Sequence, residues 1–218
     1  YGIGGVIFFQ SGPQQLKLLL SRYNKLSSIG LLAGIDAEWG VSMRLDSAQK
    51  FPWMMTLGAI QDEDLIYQFG NHVAQQFHKL GLHINFAPVL DINNNPYNPI
   101  IDRRSFGEDR GLVASKGFFY MQGLQDNNIL ACAKHFPGHG DTDTDSHLAL
   151  PVINHDRERL DSIELFPFKK LIDKRLGSIM VAHLNLPKID TLNVPSSFSR
   201  KVIQDILRND LKFEGLVI

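Results

Sequence analysis

The stretch Leu130-Ala131-Cys132-Ala133-Lys134-His135-Phe136-Pro137-Gly138-His139-Gly140 runs from a short apolar segment straight into ammonium and imidazole side chains. An apolar run without polar alternation is the pattern of a strand buried on both faces of a parallel sheet. Comparable runs lie at residues 5–9, 31–35, 84–90, 178–182 and 216–218, which together with 130–133 predicts six strands. Helical periods separate them. In 62–80 the apolar positions Leu65, Ile66, Phe69, Val73, Phe77 and Leu80 fall three and four apart, and Gly81 closes the segment. The same reading places helices at 13–28, 110–127, 157–175 and 199–209, the last opened by a Ser cap after the turn-forming Pro195-Ser196-Ser197.

A repeated βα unit builds either an open doubly wound sheet or a closed (β/α)₈ barrel. The turn after the first run is Gln10-Ser11-Gly12-Pro13, not the G-x-G-x-x-G of a dinucleotide-binding sheet. Polar residues instead follow several runs: Asp36-Ala37-Glu38 the second, Asp91 the third, Lys134-His135 the fourth and His183 the fifth. A barrel gathers its chemistry at the C-terminal ends of many strands. The predicted fold is therefore α/β, a (β/α)₈ TIM barrel forming a single domain over residues 1–218, with Asp36, Asp91, His135 and His183 on one rim. The chain opens without Met inside one apolar run and closes inside another, so the barrel is expected to be truncated at both ends, with six of eight strands present.

Composition narrows the partners. Among 218 residues, 22 Lys and Arg stand against 23 Asp and Glu, a net charge of −1 that speaks against a nucleic-acid footprint. At 44% hydrophobic and 21% charged the chain resembles an ordinary packed domain, and no run approaches the ~20 apolar residues of a membrane span. The single Cys132 excludes an internal disulfide and a zinc ribbon, and is compatible with cytosol or envelope.

Residues 134–147 hold three of the eight His in fourteen positions, in a loop that Pro137, Gly138 and Gly140 keep from becoming helical. Asp141, Asp143 and Asp145 alternate as in a calcium loop, but Ser146 replaces the sharp-turn Gly and Val152 stands where a bidentate carboxylate belongs. His135 and His139 have the spacing of metal ligands on a helix, which Pro137-Gly138 forbids. A third reading is an acid/base loop, in which Asp145 orients the imidazole of His147, and it stands beside the plainer one of a solvated loop histidine and a minor one of metal binding.

The tract K-H-F-P-G-H-G-D-T-D-T-D-S-H resembles the signature of glycoside hydrolase family 3, in its bacterial β-N-acetylglucosaminidase branch. The likeness extends through residues 34–40 to Arg44, then 85–91, 104–107, 180–183 and 213–218. It implies a (β/α)₈ barrel that removes a terminal β-linked N-acetylglucosamine with retention, from peptidoglycan fragments (muropeptides) in bacteria, without metal or organic cofactor. It further implies that Asp36 and Arg44 hold sugar hydroxyls, that Arg104, Lys134 and His135 grip the same ring, and that His183 lines the pocket. His147, held by Asp145, takes the proton-transfer role that a carboxylic acid fills in most retaining glycosidases. The nucleophilic Asp is expected just after Ile218, so the present residues are expected to be inactive alone.

Each role has a plainer counterpart. Arg104 could pair with Glu108 or Asp109, Asp36 could cap a helix, His183 could sit in the core, and Trp39 could stack on a sugar or pack inside. His139, Asp141 and Asp143 read as loop scaffolding, and His72, His78, His83 and His155 as residues without partners. Two other functions compete: a β-glucosidase of the same family, which would lack the D-S-H tripeptide, and a carbohydrate-binding barrel without catalysis.

Overall fold

In the computed structural model, which describes residues 2–142 and 150–218, six parallel strands form one sheet in sequential order. They are β1 (Gly5–Phe8), β2 (Leu32–Ile35), β3 (Ile84–Asn85), β4 (Leu130–Phe136), β5 (Ser178–Val181) and β6 (Leu216–Val217). The helices are α1 (Pro13–Leu26), α2 (Met54–Gly58), α3 (Glu63–Leu80), α4 (Arg110–Gln125), α5 (Arg157–Ser162), α6 (Leu165–Ile172) and α7 (Lys201–Asp210). The sheet curls as six consecutive strands of a barrel do. Residues of β1, β2, β3 and β6 line one interior cavity of about 240 Å³.

Alternation along each strand sorts side chains into two apolar layers. Ala33, Ile35, Ala131, Ala133, Ile179 and Val181 face the helices and join the main core, while Ile84, Phe86, Cys132, Leu130 and Met180 cluster inside the barrel. The inner series 130, 132 continues to Lys134, and the β2 series through Gly34, where a Cβ would meet the Phe86 ring at 2.8 Å, continues to Asp36. The same period that builds the interior therefore delivers these two charges to its C-terminal mouth. Burial among apolar neighbours also pushes the Cys132 thiol up to about 11, leaving it protonated.

α3 follows its sequence pattern closely. Asp62 accepts the Asp64 N–H at 3.0 Å and Gly81 ends the helix at φ 76°. It crosses α4 at two facing glycines, where a Cβ on Gly123 would lie 2.3 Å from the Tyr67 carbonyl oxygen and 2.9 Å from Gly70 Cα.

Three expectations are corrected. The third strand pairs regularly only over Ile84–Asn85, because Pro88 has no N–H for the ladder and the Ala87 N–H turns back to the Asn85 carbonyl at 2.8 Å. The fourth runs on to Phe136, since Leu90 N–H donates to the Lys134 carbonyl and Lys134 N–H to the Pro88 carbonyl. The helix expected over 157–175 is two, α5 and α6, because the Pro167 ring removes a donor and would collide with the carbonyl four residues back. At the C-terminal end, Ser199 Oγ does accept the Val202 N–H, and α7 is wound with i→i+5 bonds such as Leu211 N–H to the Ile206 carbonyl.

Candidate active site

A cleft of about 520 Å³ opens at the C-terminal ends of the strands, with Asp36, Arg44, Arg104, Lys134, His135 and His183 all on its wall. Every described residue that the sequence marked for substrate is thus brought to one place. Asp145 and His147 lie outside the described residues.

Lys134 is the centre of the charge network. Its side chain is 2% exposed, and its Nζ sits 2.7 Å from both Asp36 Oδ1 and Glu38 Oε1. Arg44 Nη2 meets the other Asp36 oxygen at 2.7 Å. Arg104 grips Glu38 as a fork, Nε to Oε2 at 2.9 Å and Nη2 to Oε1 at 2.7 Å, and its Nη1 donates to the Ile100 carbonyl. The alternative pairing of Arg104 with Glu108 or Asp109 is overturned, and so is a capping role for Asp36. Glu38 carries the greatest consequence of any residue here that the sequence left without a role. It is fully buried, yet it anchors two of the three cations.

Burial alone would raise both carboxyls. For Glu38 the Lys134 charge, followed by the Arg104 hydrogen bonds and charge, outweighs burial and brings the value down from 4.5 to about 2. For Asp36, burial is likewise outweighed, by Lys134 first and Arg44 after it, and the carboxyl stays below its ordinary range. Ala37 between them is locked from behind: its N–H donates to Asn85 Oδ1 at 3.0 Å, and its carbonyl accepts from Tyr120 Oη at 2.9 Å.

Asp91 shares the rim but lies behind the cleft, buried under His135. Its Oδ2 is 2.6 Å from His135 Nδ1, and its Oδ1 accepts the His139 N–H at 2.6 Å. Nδ1 therefore carries the proton and Nε2 faces Arg104 Nη2 at 3.3 Å as an acceptor. Burial is the largest effect on the imidazole and, helped by the smaller contributions of the Arg104 and Lys134 charges, outweighs what Asp91 restores, so the pKa of His135 is held below its ordinary value. The Lys134–His135 peptide bond is cis. His139 is scaffolding through its backbone, as expected, while its ring Nδ1 meets Thr142 Oγ1 at 2.7 Å and its Nε2 has no partner among the described residues. Asn98, which no sequence signal marked, pins this loop by donating to the His139 and Gly140 carbonyls.

The hydrogen-bond inventory decides what the cleft can bind. Lys134 has spent two of its three donors, and Asp36 still offers lone pairs. A neighbouring pair of hydroxyls fits this donor and acceptor side by side. His183 is exposed on the cleft wall with Nδ1 2.5 Å from Ser197 Oγ, which excludes the core reading. Trp39 packs on Trp53, ring centroids 4.1 Å apart, and does not line the cleft. The remaining histidines do have partners: His83 Nδ1 accepts the Ala33 N–H, His78 Nε2 lies 2.7 Å from the Asn127 carbonyl, His155 Nε2 2.6 Å from Asp141 Oδ2, and His72 packs edge-on against Phe51.

Parallel strands in barrel order with a charged cleft at their C-terminal ends define a (β/α)-barrel domain carrying its site on the usual face. Within that class the chain belongs to glycoside hydrolase family 3, matching the glycosyl hydrolase family 3 N-terminal domain over residues 1–218. It is 36% identical over 225 residues to a β-hexosaminidase of Nitrosomonas eutropha, covering 99% of this chain and 64% of that one. A family 3 β-N-acetylglucosaminidase from Paenibacillus sp. FPU-7 superposes with a TM-score of 0.94 at 39% identity, covering 99% of this chain and 43% of that one. NagZ from Neisseria gonorrhoeae in complex with N-trifluoroacetyl-D-glucosamine superposes with a TM-score of 0.90 at 32% identity, covering 99% and 66%. The chain spans 40% and 64% of the first two curated relatives it matches.

Proposed function

We propose that the whole protein is a retaining exo-β-N-acetylglucosaminidase acting on terminal β-linked N-acetylglucosamine, with muropeptides as its substrate class. The observation that carries this reading is the Asp36–Lys134–Glu38–Arg104 network, which presents a preorganised acceptor and donor pair in a cleft of sugar size. The names of the relatives, β-hexosaminidase and β-N-acetylglucosaminidase, support the same substrate.

In this reading Asp36, Lys134 and Arg44 bind ring hydroxyls, Arg104 and His135 complete the grip, and His183 lies along the cleft wall. His147 protonates the leaving oxygen and then activates water, with Asp145 holding its tautomer. The aspartate that the family resemblance places beyond Ile218 acts as nucleophile. An imidazole in the acid/base position adds no second anion beside that nucleophile.

Leaving-group dependence in the full-length protein tests the assignment. His147→Ala is expected to slow alkyl N-acetylglucosaminides by roughly 10²–10⁴-fold and 4-nitrophenyl N-acetylglucosaminide much less in the glycosylation step. Equal losses on both substrates refute the acid/base role. Faster turnover of the 4-nitrophenyl glucoside than of the N-acetylglucosaminide makes the protein a β-glucosidase instead.

A further inference from the structure

We propose that Asp141, His155 and Glu164 form a binding site for a divalent transition-metal ion, zinc in the first instance, at the foot of the loop that follows β4. One imidazole nitrogen and one oxygen from each carboxylate lie within 4.8 Å of one another. The site is separate from the cleft, and it stands whether or not the glycosidase reading holds.

Two observations set this cluster apart from an ordinary surface group of acids. The Glu164 side chain is 3% exposed, and its Oε2 has no hydrogen-bond partner among the described residues, while Oε1 receives Arg159 Nη2 at 3.1 Å and Asn94 Nδ2 at 3.4 Å. Buried carboxylate oxygens are rarely left without a donor or a cation. Beside it, Asp141 Oδ2 and His155 Nε2 are held 2.6 Å apart by a single proton. A metal ion bound between them takes the place of that proton, which the imidazole then carries on Nδ1.

The donor set and the geometry suit such an ion. Two carboxylates and one imidazole match zinc and its first-row neighbours, not calcium or magnesium, which favour all-oxygen shells. Ligand atoms about 2.0–2.2 Å from a tetrahedral zinc ion stand roughly 3.3–3.6 Å apart, so Asp141 Oδ2 and His155 Nε2 open from 2.6 Å to admit the ion while Glu164, within 4.8 Å of both, closes on it. Water completes a four-coordinate shell.

Arg159 is the competitor. Its guanidinium lies 3.1 Å from Glu164 and 3.8 Å from Asp141, and at 39% side-chain exposure it is free to turn outward. It neutralises part of the carboxylate charge in the metal-free protein and repels a cation arriving beside it. Asp141 precedes residues 143–149 in the chain and His155 follows them, while Glu164 immediately precedes α6. A bound ion would therefore cross-link both flanks of that segment to α6.

The experiment is calorimetric titration of the metal-free, full-length protein with Zn²⁺ at pH 7, with thermal unfolding as a second readout. The expected result is one site per chain that remains in His147→Ala and raises Tm by several degrees at saturating zinc. Glu164→Gln and His155→Ala are expected to weaken that site by roughly tenfold or more. Arg159→Gln is expected to tighten it, a response that a purely structural ion-pair cluster would not give, and this variant decides the matter if His155→Ala fails to fold. Absence of saturable binding below about 100 μM overturns the proposal. So does zinc binding that is lost in His147→Ala and kept in Glu164→Gln, or that Arg159→Gln leaves unchanged.

Discussion

Glu38→Gln isolates the energetics of the buried network, because it keeps the side chain's shape and removes only its charge. Glu38 accepts from Arg104 Nε and Nη2 at 2.9 and 2.7 Å, and its Oε1 lies 2.7 Å from Lys134 Nζ. Glutamine turns one of its two positions into an N–H donor facing a cation. Removing one partner of a buried ion pair costs about 3–5 kcal/mol. The fall of the Glu38 value from 4.5 to about 2 gives an independent figure of roughly 3 kcal/mol. Both routes predict that Glu38→Gln destabilises the protein by about 3 kcal/mol or more near pH 7.

The pH dependence follows from the direction of that change. The folded-state value lies below the unfolded one, so the stabilisation is complete above about pH 4.5 and is lost as pH falls through about 2. The gap between wild type and variant is therefore expected to be constant from neutrality down to about pH 5 and to close below it. Urea unfolding followed by tryptophan fluorescence measures it, and Trp39, adjacent to Glu38 and packed on Trp53, is a local reporter. A difference under about 1 kcal/mol at pH 7, set against the 3–5 expected, refutes the argument. So does a gap that stays constant down to pH 2.

Arg104→Lys keeps the charge and loses the fork on Glu38 together with the contact to His135 Nε2; kcat/KM of the full-length protein is expected to fall about 10–100-fold, and a loss under twofold counts against the role of Arg104. Gly140→Ala places a Cβ 1.7 Å from the Ile92 carbonyl oxygen, so equilibrium unfolding is expected to show at least 1–3 kcal/mol of destabilisation, and a neutral result would contradict this packing of the loop on the strand end.

The architecture was legible wherever one physical requirement acted locally. Strands buried on both faces need unbroken apolar runs, and Leu130–Ala133 and Ser178–Val181 show them; α3 needs a 3.6-residue period and a left-handed stop, and has both. The errors also have local causes, since Pro88 and Pro167 each remove a backbone donor where regular structure was expected.

What the sequence alone determined is which residues face inward at the strand ends, because alternation is a property of consecutive residues: Asp36 and Lys134 were bound for the same rim once the barrel order held. Only the tertiary structure decided which charges neutralise one another. Arg104 had acids four and five residues away, yet its guanidinium found Glu38, sixty-six residues distant and fully buried. An exposed partner nearby contributes little in water, whereas a carboxylate already stripped of solvent by the closing sheet has no other way to be satisfied. His135 took its tautomer from Asp91 for the same reason, and Trp39 found Trp53. These pairings depend on which strand ends the sheet order makes neighbours, and no spacing within the chain encodes that.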